Sequence, residues 1–72
     1  MRDLDGEHFS ISAIVEYYDC LVEVVVFDDG VIEVVVRDCL RDTNIVFQSD
    51  DDFGCTGAAM LKGLKWAKNN DY

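Results

Sequence analysis

The stretch Leu21-Val22-Glu23-Val24-Val25-Val26-Phe27-Asp28-Asp29-Gly30-Val31-Ile32-Glu33-Val34-Val35-Val36-Arg37 decides the fold. Two valine-rich runs flank Asp28-Asp29-Gly30, and such a pair with Gly in the connection reads as a β-hairpin. The charges set its register. A two-residue loop at Asp29-Gly30 pairs Val26 with Glu33 and puts glutamates on both faces. A three-residue loop pairs Phe27 with Val31 and gathers Val22, Val24, Val26, Ile32, Val34 and Val36 on one uncharged face. Glu23 and Glu33 then share the other face. A one-residue slip would undo this segregation, so the three-residue loop is expected, with Gly30 left-handed.

Working outward, residues 9–17 alternate, with Phe9, Ile11, Ala13, Val15 and Tyr17 expected on the core face. A turn at Tyr17-Tyr18-Asp19-Cys20 pairs Val15 with Val22 and Ala13 with Val24. A short fourth strand is expected at Asn44–Gln48, with Ile45 and Phe47 inward. After Thr56, read as an N-cap, Met60, Leu64 and Ala67 recur at helical spacing. Gly63 would let this helix approach the sheet closely. The expected fold is α+β, a single domain. It is an antiparallel four-stranded meander (strands about 9–17, 21–27, 31–37 and 44–48) with one C-terminal helix (about 56–69) on one face.

Charge is the other strong signal. The 72 residues include 15 Asp or Glu against 6 Lys or Arg, a formal charge of −9. Three basic and fourteen acidic residues precede Thr56; three lysines and one aspartate follow it. Half the residues are hydrophobic, too many for a disordered acidic tail. No apolar run approaches the ~20 residues of a membrane-spanning helix. The acidic start, Met1 to Glu7, has no apolar signal core, so a cytoplasmic location is expected. Cys20, Cys39 and Cys55 are odd in number and form no C-x-x-C, which favours reduced thiols, each a small buried side chain.

Catalytic and cofactor chemistry finds little here. A calcium loop begun at Asp50 would need Gly at its sixth position and Glu at its twelfth, and this chain has Cys55 and Leu61 there. Phe53-Gly54-Cys55-Thr56-Gly57 lacks the lysine of a phosphate-binding loop. His8 is the only histidine and is expected on the surface, which leaves serine or cysteine nucleophiles without a base. No enzyme, metal or cofactor is expected. Direct nucleic-acid binding is opposed by the charge, although Lys62, Lys65 and Lys68 line one side of the helix.

The same charge suits a partner that is itself basic. Acids fall at the turns and in one loop: Asp19, then Asp28 and Asp29, then Asp38 and Asp42, then Asp50 to Asp52. Carboxylates so placed can occupy a site built for phosphates. Asp28, Asp29, Glu33, Asp50, Asp51 and Asp52 are the candidate contacts, with Glu23 secondary. A small, strongly acidic chain of a few strands and one helix, free of catalytic motifs, resembles the phage-encoded anti-defence proteins of the anti-CRISPR and DNA-mimic type. The resemblance covers the whole chain in size, charge and architecture, and it implies a non-enzymatic inhibitor. Such an inhibitor would bind a basic nucleic-acid groove of a host defence complex, for instance a Cas effector subunit, and block access. The lysine-bearing helix departs from a uniformly acidic mimic. The alternative is a small oligomerisation, accessory or antitoxin-type module. Its dimer face would be the mixed second face of the sheet, with Ile14, Val25, Phe27 and Val35 exposed.

Overall fold

A computed structural model of the chain describes Leu4, Gly6 and residues 8–49 and 52–72. Strands β1 (Phe9–Tyr17), β2 (Cys20–Phe27), β3 (Ile32–Asp38) and β4 (Asn44–Gln48) precede one helix, α1 (Thr56–Asn69). The strands form one antiparallel sheet in the order β1-β2-β3-β4, a meander with α1 packed against it. The valine runs suit strands because β-branched side chains pack well on a pleated surface.

The central hairpin has the register that the charges demand. Val22 pairs with Val36, Val24 with Val34 and Val26 with Ile32. Phe27 N donates to Val31 O and Gly30 N to Phe27 O, each at 2.9 Å, and Gly30 takes a φ of 89°. Val15 pairs with Val22 and Ala13 with Val24.

The helix meets this face through its smallest residues. Ala59, Gly63 and Ala67 are its buried positions, spaced four apart so that they stack on one line. A Cβ placed at Gly63 would lie 2.5 Å from Val22 Cγ1 and 2.6 Å from Val34 Cγ2. The glycine is therefore what allows the close approach. Met60, Leu64 and Trp66 flank this line, and Trp66 stacks on Phe47 and on Tyr72, with ring centroids 5.0 and 5.9 Å apart. Thr56 is not the cap: the N-cap is Cys55, with no side-chain capping bond.

Both edge strands depart from simple alternation. The β1–β2 register shifts between Ile11 and Ala13, leaving Ser12 as the extra residue of a bulge. Phe9 and Ile11 thereby leave the helix-side face expected for them. They lie opposite Phe27 and Val25 on the far side. The β3–β4 register shifts between Val36 and Arg37, which carries Phe47 inward and moves Ile45 opposite Arg37 to the far side, 40% exposed.

Candidate functional site: the acidic end and the second face of the sheet

The acids expected to act together divide into two groups. Asp28 and Asp29 are exposed in the β2–β3 turn. Asp29 Oδ1 accepts from Val31 N at 3.2 Å, an Asx-type bond that shapes the turn. Asp52 comes to the same end of the sheet. Its Oδ1 accepts from Ile32 N at 3.2 Å and from Gly54 N at 3.1 Å. The loop after β4 is thus held along β3. Phe53 N donates to Ile32 O, Ser49 N donates to Val34 O, and Ser49 Oγ accepts from Val34 N. Asp52 is therefore both an exposed carboxylate and a tie between loop and strand. Asp50 and Asp51 lie outside the described residues.

Glu23 and Glu33 do not join this end. They are buried on the second face, 5% and 4% exposed. Glu23 Oε2 accepts from Arg37 Nε at 2.6 Å, and Glu33 Oε1 accepts from Gln48 Nε2 at 3.3 Å. A partner cannot reach these carboxylates without breaking internal bonds, so their place among the contacts is corrected. The reason is register. With Glu23 opposite Val35, Arg37 is its diagonal neighbour on the same face.

The second face also differs from the exposed patch expected of it. Val25, Phe27 and Val35 form a buried cluster with Leu4, Phe9 and Val31 packed around it. Phe9 meets Phe27 edge-on at 5.9 Å, and His8 O accepts from Asp28 N at 3.2 Å. Of the four residues proposed as a dimer face, Ile14 alone is open, at 54% exposure. The sequence concealed the cover, since Leu4 stands alone between aspartates in a segment without periodicity.

The opposite end of the sheet is chemically mixed. Asp38 is buried and accepts from Tyr72 Oη at 2.8 Å and Leu40 N at 2.8 Å, with Arg41 Nε 3.9 Å away. The Tyr72 hydroxyl bond holds the Asp38 carboxyl below its ordinary range, assisted by the Leu40 amide and Arg41 and opposed by burial. The same bond raises the Tyr72 phenol. Cys20 is buried, donates to Tyr17 O at 3.2 Å, and has its thiol pushed up chiefly by burial. Cys39 and Cys55, expected to be buried, are exposed, and all three cysteines are unpaired. Sequence reasoning missed the Asp38–Tyr72 bond, which joins positions 34 residues apart with no motif between them.

Among the described residues, no group of three His, Cys, Asp or Glu could hold a metal ion. No described helix is long and apolar enough to cross a membrane. His8 is exposed. The chemistry available at the acidic end is thus electrostatic: carboxylates fixed by backbone donors that can receive cationic or hydrogen-bonding groups. Comparison of the chain with protein-family models, curated proteins and solved structures found no match.

Proposed function

We propose that this protein is a non-enzymatic inhibitor of the anti-CRISPR type, which seats its acidic end in a basic nucleic-acid-binding surface of a host defence complex. The observation that carries the reading is the meeting of Asp28, Asp29 and Asp52 at one end of the sheet. Among the described basic residues, Arg37 pairs with Glu23, Arg41 lies beside Asp38, and Lys62, Lys65 and Lys68 lie on α1. Asp28, Asp29 and Asp52 stand at one end of a −9 chain, whose field steers it toward basic grooves. Backbone donors hold Asp29 and Asp52, so these acids are ordered before a partner arrives, which lowers the entropy lost on binding.

The test is competition. Guide-loaded CRISPR effector complexes are mixed with fluorescent target DNA and titrated with the protein. Displacement of the DNA is expected with at least one effector class, weakening as salt rises. Asp28→Lys/Asp29→Lys is expected to lose at least about tenfold in potency, because steering and pairing are lost together. Equal potency for that variant overturns the assignment of the acidic end.

A further inference from the structure

We propose that Asp29 is a site of spontaneous covalent modification, at which the Asp29-Gly30 linkage passes through a cyclic imide and becomes isoaspartate. The proposal is independent of the inhibitor reading. A backbone nitrogen can attack the carboxyl of the residue before it only where the two can meet, and the side chain on the attacking residue is the usual obstacle. At position 30 that side chain is a single hydrogen. A Cβ placed on Gly30 would meet nothing within 4 Å, and Asp29 and Gly30 are both exposed, so no neighbour closes the space in which the ring must form. The carboxyl is also turned the right way. Its Oδ1 accepts from Val31 N at 3.2 Å, which folds the side chain back over the backbone that follows it, on the side of Gly30 N. One bond opposes the attack: Gly30 N donates to Phe27 O at 2.9 Å and must leave it first. That bond closes an exposed turn, and such bonds open far more readily than a buried strand ladder. The turn therefore slows the step without preventing it.

The chemistry needs only water. Gly30 N bonds to Asp29 Cγ, and the Gly30 amide proton leaves with the carboxyl hydroxyl as water. Water then adds back to the imide at one of two carbonyls. Opening at Cγ restores aspartate. Opening at the main-chain carbonyl leaves the chain running through Cγ, and the former main-chain carbonyl becomes the free carboxylate. The charge at position 29 is unchanged. The main chain is one methylene longer, and the side-chain oxygen that held Val31 N now belongs to the backbone. The link between Phe27 and Val31 then no longer fits the three-residue loop that pins the β2–β3 register, and that register loosens beside Asp28. A carboxyl reacts here in its protonated form, so more isoaspartate is expected at about pH 5 than at about pH 7.

Ageing the intact chain tests this. Folded protein, and a parallel sample unfolded in guanidinium, are held at physiological temperature and then cut by a glutamate-specific protease. Cleavage after Glu23 and Glu33 isolates residues 24–33 from the other Asp-Gly of the chain, Asp5-Gly6, which falls in residues 1–7. Isoaspartate is read as methyl label transferred by an isoaspartyl methyltransferase and located by mass spectrometry. Label is expected to accumulate with time in residues 24–33 of the folded wild type. Asp29→Ser keeps a side-chain oxygen that can accept from Val31 N in the same turn, and it is expected to lose the label from that peptide. No label there in the folded wild type, whether or not the unfolded chain acquires it, overturns the proposal. So does undiminished label in Asp29→Ser.

Discussion

The two faces of the sheet bury their residues by different means. On the helix side, Cys20, Val22, Val24, Val34 and Val36 are fully enclosed, and the Ala59-Gly63-Ala67 line lies against them. This contact is apolar and close, so its tolerance is set by volume. On the other side, Val25, Phe27 and Val35 share the surface with Glu23 and Glu33, whose bonds reach to Arg37 and Gln48. There tolerance is set by whether each buried charge keeps its partner. A chain this acidic thus does not keep all its carboxylates for the outside. Two of the seven acids expected to meet a partner instead hold the protein's own second face together.

The largest effect is expected where volume rules. Gly63→Leu must displace Val22 and Val34, both fully buried, and α1 has to lift from the sheet. A loss of about 3 kcal/mol, the upper end of ordinary overpacking, is expected in urea unfolding. A loss below about 1 kcal/mol would mean that the helix-side contact is looser than described. On the second face, Arg37→Ala strands Glu23. Removing one partner of a buried pair costs roughly 3–5 kcal/mol, and since the Arg37 side chain is 29% exposed the expected cost is about 2 kcal/mol. Replacing both, Glu23→Leu with Arg37→Leu, is expected to cost less than Arg37→Ala alone. If the double change costs more in the same titration, the pair is net stabilising and the contrast between the faces fails.

A smaller effect is expected from Tyr72→Phe, and its sign depends on pH. Asp38 titrates lower in the folded chain, so its contribution is present above the ordinary aspartate value of about 3.9 and is lost as pH falls through the folded value. Tyr72 titrates higher when folded, so its contribution is present below the ordinary phenol value of about 10 and is lost as pH rises through the folded value. The stability gap between wild type and Tyr72→Phe is expected to be flat at neutral pH and to narrow at both extremes. Thermal melts across pH check this; a gap that widens in acid would contradict the assignment.

The meander was legible because sign segregation admits one register for residues 21–37, and because Gly63 stands where a helix must approach a sheet. The bulge at Ser12, and the one that leaves Val46 unpaired between Ile45 and Phe47, were not. A bulge leaves the alternation of the sequence intact while exchanging the faces on either side of it, so Phe9, Ile11 and Ile45 read as inward in error. At the candidate site, Asp28 and Asp29 were legible as turn acids. The burial of Glu23 has a readable signal in the diagonal Arg37, but alternation alone assigns an acid on a strand to solvent, and Glu33 depends on Gln48 in a strand whose register the sequence does not show. Leu4, which helps cover that face, gives no periodic signal.

The proposed inhibition requires the acidic end to block a defence complex from nucleic acid. Plasmid interference in cells carrying an active CRISPR system tests it most directly, with wild-type protein and Asp28→Lys/Asp29→Lys expressed to equal levels. Wild type is expected to restore transformation by a targeted plasmid in at least one system, and the charge-reversed variant, still folded, is not. Equal protection by both proteins, or none by wild type in any system tried, would contradict it.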